Sequence, residues 1–152
     1  MSVRYVHTNI ICRDWKALVV FYVEVFECSI RPPERHLSGD WLNKGTGVSD
    51  ARIEGVHLAL PGFGSDGPTL EIFQYDKSFT KADPLAANRE GFSHIAFHVD
   101  DVEATLMKMI SRGGSQLGEV VNKEFPSGNL VFVYAADPEG NIVELQNWKI
   151  DS

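Results

Sequence analysis

An internal repeat constrains this chain more than any other feature. His7-Thr-Asn-Ile-Ile-Cys-Arg-Asp14 places a histidine seven positions before an aspartate, and His94-Ile-Ala-Phe-His-Val-Asp-Asp101 keeps that offset. Each segment runs into a helix-like stretch, Trp15 to Phe26 and Val102 to Arg112. Further on, Gly67-Pro-Thr-Leu-Glu71 and Gly140-Asn-Ile-Val-Glu144 each set a glutamate four residues after a glycine. A His strand, a helix, more strands and a Glu strand therefore occur twice in the same order. The halves run roughly over 1–76 and 92–148, with 77–91 as a polar linker within one domain of 152 residues.

Periodicity supports this division. Residues 5–12 read as a strand in which Val6, Thr8 and Ile10 share one face, and Tyr5, His7, Asn9 and Ile11 the other. Ile95, Phe97 and Val99 oppose Phe92, His94, Ala96 and His98 in the same way. Leu70 and Ile72 oppose Glu71 and Phe73, and Val143 and Leu145 oppose Glu144 and Gln146. In all four strands the more apolar face is free to pack on a helix, while the other carries the His or the Glu. Trp15, Leu18, Tyr22 and Phe26 recur at helical spacing, as do Val102, Leu106, Met109 and Ile110. Asp100 with Glu103 reads as a capping box, and Gly113-Gly114 as a helix stop. Middle strands are expected around 28–32 and 53–60, and again around 116–121 and 129–135. The expected fold class is α+β: two βαβββ modules whose mixed sheets, side by side, make an open barrel around the His/Glu faces.

Composition narrows the function classes. At 43% hydrophobic and 23% charged, the chain has the apolar material for a core. A formal net charge of −7 argues against a nucleic-acid partner, because phosphate binding needs a basic footprint. No charged, apolar leader opens the chain, and no apolar run approaches the roughly 20 residues of a bilayer span, so no membrane partner and a cytoplasmic location are expected. In a reducing cytosol Cys12 and Cys28 read as buried free thiols, with a disulfide left open.

His7, Glu71, His94 and Glu144 form a balanced set for one divalent metal ion. Two carboxylates neutralise the cation and two neutral imidazoles complete the set. Mixed N/O ligands suit Ni, Co, Zn, Mn or Fe(II) better than calcium. Four protein ligands on a six-coordinate ion leave two positions for neighbouring oxygens of a small-molecule substrate. A single His or Glu on a strand is more often structural than a ligand; two of each, at matching places in a repeat, argue against coincidence. His98 lies about 13 Å along the strand from His94, too far for the same shell. His57 sits in a strand-like run, in the pocket or outside it, and His36 reads as a loop residue. Phe73, Tyr75, Gln146 and Trp148 continue the Glu faces, in a pocket, core or rim role. Gly45-Thr-Gly47 is no phosphate loop, lacking the strand and helix around it. The first half carries an insert, Arg31 to Arg52, which makes its His-to-Glu separation 64 residues against 50 in the second half. It reads either as a substrate lid or as a solvent loop, and Arg31, Arg35 and Arg52 either bind an anionic tail or are surface charges.

Several segments resemble one superfamily. HTNIICRDWKALVVFYVEVFE, GPTLEIFQY, GFSHIAFHVDDVEATLMKMISRGG and DPEGNIVELQNW are similar to the His and Glu strands of vicinal oxygen chelate proteins, the glyoxalase/bleomycin resistance/extradiol dioxygenase group. The resemblance covers nearly the whole chain. It implies paired βαβββ modules, a homodimer, and His7, Glu71, His94 and Glu144 at the metal-ligand positions. The His-Glu-His-Glu set resembles that of bacterial glyoxalase I, and methylmalonyl-CoA epimerases are similar in size and chemistry. Both imply proton transfer through a metal-bound enediolate, with Glu144 or Glu71 as the catalytic base. Two alternatives stand beside this: an Fe(II) extradiol dioxygenase-like oxygenase, and a metal-free small-molecule (drug) binding protein. The chain departs from bacterial glyoxalase I in reading Phe73-Gln-Tyr-Asp76 where Asn-Trp-Gly is typical, and the helix that usually precedes the second His strand in epimerases is not obvious.

Overall fold

The computed structural model describes residues 2–150, so the first residue of the first expected half lies outside it. The chain divides into two compact units, Met1–Lys81 and Ala82–Ser152, and each has its own sheet.

In the first unit the elements are β1 (His7–Ile11), α1 (Trp15–Phe26), β2 (Ser29–Ser38), α2 (Asp40–Thr46), β3 (Arg52–Ala59) and β4 (Thr69–Tyr75). The sheet order is β1-β4-β3-β2, with β1 parallel to β4 and the other pairs antiparallel. Helix α1 begins where the Asp14 carboxylate accepts the Ala17 N–H, and ends at Glu27 in a left-handed conformation. Its Trp15, Leu18, Phe21, Tyr22 and Val25 are buried, as are Ile10, Val56, Leu58, Leu70 and Ile72 on even-numbered strand positions. The even face of the sheet is thus the core face, and each fully buried Leu or Ile there contributes about 1.5–3 kcal/mol. The odd face is left to carry His7 and Glu71.

The second unit contains β5 (His94–His98), α3 (Val102–Ser111), β6 (Ser115–Gln116), β7 (Val121–Phe125), β8 (Gly128–Ala136) and β9 (Ile142–Ile150). Strand β5 is parallel to β9, β9 pairs antiparallel with β8, and β6 and β7 both pair with β8. Val133, Ala135, Val143 and Leu145 are fully buried on one face, against α3 residues Val102, Leu106 and Met109. The fold class is α+β, built from βαβββ modules. No described helix is long and apolar enough to cross a membrane.

Four local expectations are corrected. The α3 cap is Asp101, whose carboxylate accepts the Ala104 N–H at 2.9 Å, and not Asp100; the side chain nearest the first free N–H groups takes the role. Ile110 is 39% exposed, so the buried stripe of α3 ends at Met109. The single strand expected over 116–121 is two short strands on one edge of β8, interrupted between Gln116 and Val121. The Arg31–Arg52 insert is not a solvent loop: β2 continues through a register shift to Ser38, and α2 follows. Leu42 of α2 packs with Ala51, Ile53 and Phe73, against Ile11, Leu37 and Tyr75, and so anchors the helix on the odd face of the sheet. The Asn43 side chain accepts the Ala51 N–H at 2.8 Å and closes the connection. Cys12 and Cys28 are both buried and outside any disulfide, and the Cys12 thiol donates to the Phe73 carbonyl at 3.4 Å.

Candidate functional site

Strand register decides which polar side chains meet. In the first unit β1 runs beside β4 with His7 opposite Thr69 and Asn9 opposite Glu71. On the other side of β4, β3 places His57 opposite Glu71. The Glu71 carboxylate therefore lies between two imidazoles: Oε1 is 3.1 Å from His7 Nε2, and Oε2 is 2.8 Å from His57 Nε2. The Glu71 side chain is 11% exposed, that of His57 20% and that of His7 39%, so solvent reaches the site from the His7 side. His57 Nδ1 lies 3.3 Å from the hydroxyl of buried Thr69, and its ring stands edge-on to His7 and Phe73. Burial pushes the His57 pKa below the usual imidazole value; Glu71 opposes this, while neighbouring Arg35, His7 and Arg31 add to it.

The second unit repeats the plan. Ala96 and Tyr134 flank Glu144 in register, as Asn9 and His57 flank Glu71. His94 Nε2 is 3.5 Å from Glu144 Oε2, with side-chain exposures of 27% and 16%. The Tyr134 ring lies 4.6 Å from that of His94, and Gln146 Nε2 donates to Glu144 at 3.4 Å.

The structure thus brings His7 to Glu71 and His94 to Glu144. Among the described residues it gathers no group of three or more His, Cys, Asp or Glu side chains that could hold a metal ion. Each unit offers at least one imidazole and one carboxylate on one sheet face, and this donor chemistry fits a divalent cation of mixed N/O preference. His98, in register with Gln146, lies four residues, two strand repeats, beyond His94 on the same face. His36 pairs at the surface with Glu34 and Glu54. Phe73 belongs to the α2 cluster, and Trp148 stacks on Phe125.

Sequence reasoning gave His57 no particular partner. The signal was there: His57 and Glu71 lie seven residues either side of Gly64, in the Gly- and Pro-rich connection between β3 and β4. Folding that hairpin about its centre pairs them.

Comparison with known proteins gives a consistent result. A family model described as the Glyoxalase/Bleomycin resistance protein/Dioxygenase superfamily matches residues 4–145. A glyoxalase family protein from Bacillus cereus matches with a TM-score of 0.81 at 19% identity, over 97% of this chain and 95% of that one. The trypanothione-dependent glyoxalase I of Leishmania major matches with a TM-score of 0.62 at 20% identity, over 96% and 87%. A glyoxalase family protein from Enterococcus faecalis matches with a TM-score of 0.58 at 23% identity, over 96% and 97%. At these identities the likeness is one of fold. Comparison with curated proteins returns no match.

Proposed function

This chain belongs to the Glyoxalase/Bleomycin resistance protein/Dioxygenase superfamily, and from that premise we propose that it is a divalent-metal-dependent isomerase or lyase of the glyoxalase I or methylmalonyl-CoA epimerase type. The observation that carries the reading is the recurrence of one His–Glu pair, at the same register, on the accessible face of each module's sheet. In the proposal His7, Glu71, His94 and Glu144 together hold one divalent ion. Neither pair supplies enough ligands alone, and the two pairs make a charge-balanced set. When bound, the ion supplies Lewis-acid stabilisation of negative charge on two neighbouring substrate oxygens.

The chain's own residues supply the proton chemistry. A carboxylate, Glu144 or Glu71, takes a proton from the carbon next to a substrate carbonyl and returns it to the neighbouring carbon or the opposite face. Imidazoles at His7 and His94 act as neutral donors and take no proton in the cycle. Low exposure of both glutamates limits competition from water for that proton. The proposed substrate is a small molecule with adjacent oxygen functions, and a homodimer and a cytoplasmic setting accompany the proposal.

Metal analysis of the purified protein tests this. About one Ni, Co, Zn, Mn or Fe(II) ion per chain is expected, with loss in His7→Ala and Glu144→Ala, followed by turnover of a hemithioacetal or an acyl-CoA epimer. No binding after reconstitution with any of these metals would sink the proposal and leave a metal-free binding protein. Oxygen uptake with a catechol would move the chain to the dioxygenase branch.

A further inference from the structure

We propose that His57, itself held by Thr69, is a positioning residue that fixes the Glu71 carboxylate, and that this device exists in only one of the two modules. The fixing rests on geometry within the first unit. Its purpose, presenting Glu71 to a metal ion, rests on the function proposed above.

His57 Nε2 faces Glu71 Oε2 at 2.8 Å, and an ionised carboxylate only accepts. Nε2 must therefore carry the ring proton and donate it. A neutral imidazole then has its lone pair on Nδ1, which lies 3.3 Å from Thr69 Oγ1. A hydroxyl donates as well as accepts, so the Thr69 O–H donates to Nδ1. The chain Thr69 to His57 to Glu71 is polarised in one direction and selects one tautomer. With its Nε2 proton committed, His57 does not compete with His7 for an ion; it sets the angle of the carboxylate. The edge-on rings of His7 and Phe73 leave His57 little room to rotate. Thr69 and Glu71 occupy alternate positions of β4, so their side chains share a face and span the two nitrogens of one ring.

Among the described residues the second module shows no counterpart. Tyr134 holds the register position that His57 holds in the first. Its ring lies against His94, and it presents no ring N–H to Glu144. The described contacts of the Glu144 carboxylate are longer, 3.5 Å to His94 and 3.4 Å to Gln146. The two glutamates, equivalent by repeat, are unequal by setting: Glu71 is clamped and Glu144 is held loosely. Partners of this kind typically change metal affinity ten- to a hundredfold when removed.

Two measurements test the inference. The first is long-range proton–nitrogen NMR of the histidine rings in metal-free protein. It should show His57 as the Nε2–H tautomer, with the Nδ1 signal displaced in Thr69→Val. An Nδ1–H tautomer would overturn the clamp whether or not the protein binds metal. The second is calorimetric titration with Co(II), read together with the Co(II) absorption spectrum. His57→Ala should weaken binding by about ten- to a hundredfold and alter the spectrum. His57→Gln, whose side-chain N–H still reaches the carboxylate, should recover most of both. Wild-type affinity and spectrum in His57→Ala would overturn the positioning role. Should that variant fail to fold by circular dichroism, Thr69→Val and His57→Gln decide the matter by the same readouts. A wild-type protein that binds no metal would remove the metal-site proposal, while the tautomer still decides whether His57 clamps Glu71.

Discussion

Gly55 is the position where a single methyl group should do the most damage near the site. It lies in β3, two residues before His57, opposite Phe73 of β4. Its φ of +154° is one that side-chain-bearing residues rarely adopt. A Cβ there would stand 2.0 Å from the Ile72 carbonyl oxygen, 2.7 Å from the Phe73 ring and 2.9 Å from Phe73 Cα. Two of these three atoms are backbone, so no side-chain rotation relieves the clash. Gly55→Ala must therefore part β3 from β4 or force Gly55 out of its conformation. Overpacking of this kind costs about 1–3 kcal/mol, and a residue strained at positive φ about 1–3 kcal/mol. The stiffer unfolded chain returns about 0.4–1 kcal/mol. The net loss is about 1–6 kcal/mol. With a urea dependence of about 2 kcal/mol per molar, the unfolding midpoint should fall by about 0.5–3 M at unchanged slope. Gly45 is the internal control. It lies inside α2, and a Cβ there meets nothing within 4 Å. Gly45→Ala should raise stability by about 0.5–1 kcal/mol. A Gly55→Ala midpoint within about 0.2 M of the parent would refute the reasoning, since the strand pair would then be able to absorb a contact far inside van der Waals distance. Because parting β3 from β4 draws His57 from Glu71, metal affinity should fall in the same variant.

Other expectations follow from burial and capping. Burial pushes the Cys28 thiol from its ordinary 9.0 up to about 12. The folded state thus keeps a proton that the unfolded state releases, so this contribution is complete below about pH 9 and is lost as pH rises towards 12. Urea midpoints measured across alkaline pH should decline less steeply in Cys28→Ala than in the parent; parallel declines would contradict the assignment. Asp101→Ala should cost about 1 kcal/mol through loss of the α3 cap, whereas Asp100→Ala should stay within about 0.5 kcal/mol of the parent. Equal effects in thermal unfolding would show that the cap is shared.

Much of this protein is legible in its residue order. The repeat, the two helices and the strand faces follow from patterns that act over a few residues: period-two alternation, helical spacing, and glycine at turns. His7 and Glu71, like His94 and Glu144, stand out in the residue order because a repeat carries its own internal control. The pattern was weaker where a local signal had two solutions. Asp100 and Asp101 are both competent caps, and the stretch after α3 alternates too weakly to say where its strand breaks.

What residue order alone determined is the class of fold and the recurrence of a His and a Glu on the polar face of each half's strands. Which side chains touch was decided by strand register, a property of tertiary pairing. A slip of one residue between β3 and β4 would turn His57 to the opposite face from Glu71. The same register gives Glu144 a tyrosine in place of that histidine, so only the folded sheets distinguish two carboxylates that the repeat presents as equals. The insert is the last case: its helix is anchored because Leu42 meets Phe73 and Ile53, residues that pack together only once β3 and β4 are paired.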